Sequence, residues 1–303
     1  MLQLNKKREV RLSVPSTIKK NISGWMVMVP SLILFAFFIW QPLLASVRLS
    51  LYSAKGTKVI EFVGLKNYID VFSHPDFFPA VRNTFSYTIW SLVIGFLVPI
   101  ILAILLNELV HAKSLFRVGI YFPNIVPGLA TVLMWGFIFK PGKTGVLNIL
   151  LDTVGIDPMV WLSNPKLTIP LIVITMTWKG AGATALIYLA CLKGINTELY
   201  EAAIIDGAGI WQRIRHVTIP NIRNLGSTLL ILQVITVFQI LYEPLVMTNG
   251  GPNNASISIM QLVFKFAFEK FDYPKAAAVS VIISIFLITL TAIYNKFNKP
   301  KDM

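Results

Sequence analysis

Apolar residues along the chain gather into six charge-poor runs, Trp25–Val47, Thr84–Leu106, Val118–Phe139, Leu167–Leu192, Leu225–Tyr242 and Ala276–Tyr294. A hydrocarbon layer of about 30 Å takes about 20 helical residues at about 1.5 Å each, so the pattern predicts six crossing helices, the fifth and sixth near the minimum length. Lys179, in the fourth run, is the one charge inside them. Pro123, Asn124, Pro127 and Gly128 cluster in the first half of the third run. Inside a membrane the carbonyls that a proline frees are satisfied only by neighbouring helices or water. A kink facing protein is therefore expected there, either purely structural or lining a pathway.

The connections carry turn signals. Within Tyr52–Arg82 the stretch Glu61-Phe62-Val63-Gly64-Leu65-Lys66-Asn67-Tyr68 reads as a mixture of turn and helix, too short and polar to cross. Thr248-Asn249-Gly250-Gly251-Pro252 is a dense turn cluster after the fifth run. Ala255–Phe268 is apolar but only about 14 residues long and contains Lys265, which suits a short surface or re-entrant helix better than a seventh crossing.

Composition supports a bilayer. With 55% hydrophobic residues and a mean hydropathy of +0.68 the chain is too apolar for an ordinary soluble domain. A formal charge of +13 would suggest nucleic acid in a soluble protein, but here the basic residues cluster at the ends of apolar runs, so nucleic acid is discounted as a partner in favour of membrane lipid. Lys6, Lys7, Arg8, Arg11, Lys19 and Lys20 precede the first run, which is too long for a signal-peptide core and reads as an uncleaved helix. Lys and Arg are denser in the tails and in the 107–117 and 193–224 connections than in the other three. Both termini and the 193–224 connection are therefore expected in the cytoplasm. The boundaries that follow are an N-terminal tail at 1–24, a six-crossing domain at 25–296 containing a loop at 193–222, and a C-terminal tail at 297–303.

That loop is the most informative stretch. Asn196 or Thr197 is placed to cap a helix whose positive end meets Glu198 and Glu201, Gly207 and Gly209 stand where turns need backbone freedom, and Pro220 is expected to stop a second helix. Small residues at Ala202, Ala203, Gly207 and Ala208 leave one side nearly bare, so another protein can approach the backbone closely.

The loop resembles that of the permease subunits of binding-protein-dependent ABC importers, whose pattern is Glu-Ala-Ala, three residues, Gly, nine residues, Ile, one residue, Leu-Pro. Glu201-Ala202-Ala203, Gly207, Val217 and Ile219-Pro220 fall at those spacings, with two volume-conserving apolar departures. Asp206 and Trp211-Gln212 look like the carbohydrate-uptake branch, as do the Phe62–Tyr68 segment and the Thr248–Pro252 turn. The resemblance implies an all-α, polytopic protein of a bacterial cell membrane with the type I importer permease fold. It further implies ATPase subunits docked on Glu201, Ala202, Ala203, Asp206, Gly207 and Pro220. A second permease subunit forming a heterodimer and an extracytoplasmic solute-binding protein would complete the assembly, the latter meeting the outer turn at Asn249, Gly250 and Gly251. ATP and Mg would belong to the partner ATPase, with no cofactor in this chain.

No catalytic or metal site is read. Gly142-Lys143-Thr144 lacks the first glycine of a phosphate loop, because position 137 is Phe137. Cys191, His74, His111 and His216 have no zinc-ligand spacing, and Asp152 and Asp157 sit among turn residues. Lys179 demands compensation, since a mid-membrane Lys costs about 3 kcal/mol to insert. Either its ammonium faces a substrate pathway together with Trp178 and Asn124, or it is bonded to backbone carbonyls or water. Glu243 is judged too near the outer surface to pair with it, and Gly180, Gly182 and Ala183 suit close helix approach or a cavity wall. The alternative function is an ion-gradient-driven secondary transporter, disfavoured because the crossings hold no Asp or Glu away from their ends; a non-transporting scaffold is the third reading.

Overall fold

The computed structural model describes residues 22–56, 58–109 and 112–298, so the two tails lie largely outside the described residues, as does His111. Helix α1 (Ile22–Phe35) passes through a π-helical turn (Ala36–Trp40) into α2 (Gln41–Ser50), followed by strands β1 (Tyr52–Lys55) and β2 (Lys58–Phe62) and helix α3 (Lys66–Phe72). Helix α4 (Phe77–Trp90), a π turn (Ser91–Gly95) and α5 (Leu97–Glu108) precede α6 (Lys113–Ile125), α7 (Gly128–Ile138), α8 (Val146–Thr153) and α9 (Thr168–Lys193). Then come α10 (Thr197–Ile205), α11 (Ile210–Arg213), a π turn (Ile214–Thr218) and α12 (Ile219–Phe238). The chain ends with α13 (Tyr242–Thr248), α14 (Ile259–Phe264), a fourth π turn (Lys265–Glu269) and α15 (Tyr273–Phe297).

Five stretches are long and apolar enough to cross a membrane without interruption: Gly24–Ser50, Phe77–Glu108, Thr168–Lys193, Ile210–Phe238 and Tyr273–Phe297. The third run breaks instead. Helices α6 and α7 meet at 97°, so the count reaches six only when this bent pair is taken as one crossing. The residue before a proline is driven out of the helical region, and Val126 accordingly sits at φ −61, ψ 129 before Pro127.

The fifth crossing differs from expectation at both ends. It starts at Ile210 and finishes at Phe238 rather than running over Leu225–Tyr242, and Pro220 does not stop a helix. Pro220 lies in the first turn of α12, directly after the π turn in which the Ile219 N–H bonds the Ile214 carbonyl. That wider turn absorbs the place where an α-helix would have needed the N–H that proline lacks.

The hairpin is a departure from an all-helical chain. Tyr52 pairs with Phe62 and Lys55 with Lys58, with an irregularity between Ser53 and Ala54. Buried Asn67 donates from Nδ2 to the carbonyls of Ser50 and Tyr52, both at 2.9 Å, and the Tyr68 hydroxyl lies 2.7 Å from Ser50 Oγ. These bonds give the Asn-Tyr pair a structural task, which is to fasten the hairpin to the Ser50 end of the first crossing.

Helix α9 is the axis of the molecule, packed against α4, α5, α6 and α12. Lipid tails are as apolar as leucine, so such packing relies on close fit rather than on burial from water. Ala103, Ala181 and Ala185 are buried, and a side chain at Gly182 would collide with the Ile120 carbonyl of α6. Around α3 and α14, Val71, Phe77, Ile257, Leu262, Phe266 and Val279 form a separate core. There the expected short helix after Ala255 is buried, and polar side chains of α4 hold the loop before it. Asn83 donates to the carbonyls of Asn254 and Ile257, and the Tyr87 hydroxyl to that of Ser256.

Candidate functional site

Helix α10 is shaped locally. Asn196 Oδ1 accepts the Glu198 N–H at 3.0 Å, which satisfies one orphan donor at its start. At its end the Gly207 N–H bonds the Ile204 carbonyl at 3.0 Å and the Ala208 N–H bonds the Ala203 carbonyl at 2.8 Å, the paired closure that requires a left-handed residue between them. Gly207 supplies it with φ +77. Gly209, by contrast, is extended at φ −68, ψ 171, a conformation open to any residue, so the expectation of special freedom there is corrected. Its N–H reaches Gln212 Oε1 at 2.7 Å and starts α11.

No residue of α10 is buried, and Ile205 is 85% exposed. Glu201, Ala202, Asp206, Gly207 and Pro220 are exposed and Ala203 is half-buried. The Tyr200 hydroxyl, 3.0 Å from Thr218 Oγ1, ties the helix to the base of the fifth crossing. The arrangement is a short, rigidly closed helix held out from the bundle, with its small residues accessible to another protein.

Within the bundle, a cavity of about 280 Å³ opens between the second, fourth and fifth crossings, lined by Ser91, Thr177, Gly180, Thr184, Gln233 and Thr236 among others. Gln233 donates from Nε2 to the Ser91 carbonyl and hydroxyl, where the π turn Ser91–Gly95 re-aims the backbone. Gly180 was expected at close helix approach or a cavity wall, whereas sequence reasoning missed the polar residues of this lining. A signal was present, because 177, 180 and 184 share one helix face, as do 233 and 236.

The predicted pathway trio does not share that cavity. Lys179 donates to the Val126 carbonyl at 2.6 Å, at the break of the third crossing. Trp178 meets Trp135 edge to face at 5.9 Å in a separate, largely apolar crevice of about 390 Å³, and Asn124 is exposed on α6. Glu243 and Lys179 form no ion pair within 4 Å among the described residues, in keeping with the expectation that they are not partners. Helix α13, which carries Glu243, packs against α7 and α9.

In the turn after α13 Asn249 is exposed with φ 48, whereas Gly250 is buried against Gln261 and Ile257. Gly251 donates to the Thr248 carbonyl at 2.9 Å and accepts from the Ser256 hydroxyl at 2.6 Å. Asn249 is thus the exposed member of the predicted trio, with its Oδ1 3.5 Å from Nε2 of buried Gln261.

Comparison with known proteins extends this picture. The profile of the family described as "Binding-protein-dependent transport system inner membrane component" matches residues 95–301. The chain is 30% identical over 286 residues to the "Probable ABC transporter permease protein YurN" of Bacillus subtilis (strain 168), covering 93% of this chain and 97% of that one. It is 31% identical over 281 residues to the "Trehalose/maltose transport system permease protein MalF" of Thermococcus litoralis, covering 91% and 93%. A chain from the crystal structure of a bacterial alginate ABC transporter, in complex with alginate pentasaccharide-bound periplasmic protein, superposes with a TM-score of 0.83. The superposition covers 94% of this chain and 97% of that one, at 23% identity.

Proposed function

The chain belongs to the binding-protein-dependent transport system inner membrane component family and has the fold of its importer permeases, and from that premise we propose that it forms part of the pathway of an ATP-driven importer for a sugar or oligosaccharide. The observation that carries the coupling half of this reading is α10, a closed helix with no buried residue, tethered through Tyr200 and Thr218 to the fifth crossing. An ATPase subunit holding ATP and Mg grips α10 on the cytoplasmic side, where both termini also lie. When the ATPase pair closes, the docked helix moves as a rigid body and the fifth crossing moves with it.

The substrate half of the reading is supported by the sugar named for the Thermococcus relative and by the hydroxyl and amide groups lining the cavity at Gln233. Saccharide hydroxyls both donate and accept, which suits Thr177, Thr184, Thr236 and the Gln233 side chain. Lys179, Trp178 and Asn124 flank the route on the side of the bent third crossing. A second permease subunit, different from this one, covers the first crossing, whose apolar stretch is 0% buried within this chain. An extracytoplasmic solute-binding protein docks over the outer turn at Asn249.

The test is reconstitution of the complex with candidate saccharide-binding proteins, reading ATP hydrolysis and uptake. With Cys191 replaced by Ser, single cysteines along 199–208 should crosslink to the ATPase on one helical face, repeating every three to four residues. Uniform crosslinking, or none while uptake persists, would remove the docking role of α10.

A further inference from the structure

On the same side of the molecule as α10 lies a groove of about 1020 Å³ between α5 and the segment that returns from the loop into the membrane. One wall is aliphatic, from Leu97 through Ile101 and Ile104 to Leu105, about eight residues or ~12 Å along the helix axis. Leu105 is three residues short of Glu108, the end of α5, so this wall runs from the membrane surface into the acyl region. The opposite wall carries Trp211, Arg215 and His216 on α11 and the π turn Ile214–Thr218, and no acidic residue lines the groove.

Charge and polarity are separated along this groove in the way a phospholipid separates them. Arg215 is exposed and makes no ion pair among the described residues. His216 Nδ1 lies 2.9 Å from the Gln212 carbonyl, which only accepts, so Nδ1 donates there; Nε2 meets a phosphate oxygen as a donor only in the imidazolium form, in which both ring nitrogens carry protons. Trp211 is 81% exposed, a position that suits an indole at the headgroup level. Basic recesses between crossing helices favour anionic headgroups, while an aliphatic wall at membrane depth accepts an acyl chain.

We propose that the groove between α5 and the Trp211–Ile219 segment is a binding site for one anionic phospholipid, its phosphodiester held by Arg215 and His216 and an acyl chain lying along Leu97, Ile101 and Ile104. Because the same segment is the first part of the fifth crossing, directly after α10, the bound lipid braces that end of the fifth crossing against the second. This proposal rests on the permease reading only for setting the α10 side at a bilayer surface, and co-purification of an ATPase subunit tests that reading separately.

The experiment is native mass spectrometry of the full chain, purified with its co-purifying subunits, after exposure to phosphatidylglycerol or phosphatidylcholine at equal concentration. Retention of one phosphatidylglycerol in preference to phosphatidylcholine is expected. It should fall about fivefold for each basic group removed in Arg215→Gln and His216→Gln, and recover in Arg215→Lys. Ile101→Trp, which fills the groove and leaves both basic groups in place, should abolish retention. Equal retention of both lipids, or undiminished phosphatidylglycerol in Arg215→Gln and Ile101→Trp, would overturn the site. So would capture of a partner polypeptide rather than lipid by a photo-crosslinker at position 101, which would make the groove a protein interface.

Discussion

Gln233 on the fifth crossing donates from its side-chain amide to the carbonyl of Ser91 on the second at 2.8 Å, and to the Ser91 hydroxyl at 2.7 Å. The two residues are 142 apart in sequence. Their contact ties a moving crossing to the π turn that shapes the polar cavity, so it should govern both the cavity and the relative position of the two helices.

Replacing Gln233 by Leu removes both amide bonds to Ser91, whose carbonyl keeps the Phe96 N–H as its partner within the π turn. The loss of such hydrogen bonds costs about 0.5–1.5 kcal/mol each, less where water enters the cavity. Lower thermal stability and weakened substrate uptake are expected, with α10 still retaining the ATPase. Uptake equal to that of the unaltered protein would remove the cavity from the pathway.

Lys179→Met should loosen the junction at Val126 while leaving the helices inserted. The ammonium is the hydrogen-bond partner of the carbonyl before Pro127, and removing it exposes the broken end of α6 inside the membrane. Assembly and basal ATP hydrolysis are expected to survive and uptake to fall. If uptake is normal while thermal stability drops, Lys179 serves the bend alone.

Gly207→Ala and Gly207→Asn separate conformation from size. At φ +77 an alanine is strained by about 1–2 kcal/mol, whereas asparagine tolerates the left-handed region better. Co-purification of the ATPase should decline with Ala and be largely kept with Asn. The bulkier Ala203→Trp should detach or uncouple it, since overpacking a close contact costs about 1–3 kcal/mol. Equal retention by all three variants would show that the loop's closure is not what the partner reads.

The core beside α3 and α14 should be sensitive to acid through His74. Its ring stands edge to face with Phe266, and Nε2 lies 2.9 Å from Lys270 Nζ. Partial burial, then the neighbouring Lys270, with Lys275 and Lys265 adding and Asp76 opposing, hold its pKa below the ordinary value of 6.5. A histidine whose folded pKa is depressed takes up its proton more readily when unfolded. Its favourable contribution is therefore present above 6.5 and is lost as pH falls through the depressed folded value. Melting temperature between pH 8 and pH 5 should fall more steeply for the unaltered protein than for His74→Gln; parallel curves would refute the assignment.

Much of this protein follows from local pattern alone. Charge-poor runs of spanning length mark five of the crossings to within a few residues at most ends, and the Asn196 cap and the left-handed Gly207 are legible because each depends on residues a turn away. The shift of the fifth crossing to Ile210–Phe238 was not legible, because a π turn uses the same residue types as an α-helix and is chosen by what packs around it. The hairpin at Tyr52–Phe62 is held by Asn67, whose partners Ser50 and Tyr52 lie 17 and 15 residues away in sequence. A proline-rich third run predicts a kink, but that the Val126 carbonyl at the 97° turn finds its partner in Lys179, 53 residues on, was not legible. Composition and period determine which segments enter the membrane, since solvation acts on each segment by itself. Which polar groups face one another inside it was decided only by tertiary structure, because a hydrogen bond in lipid needs a partner that distant chain must bring.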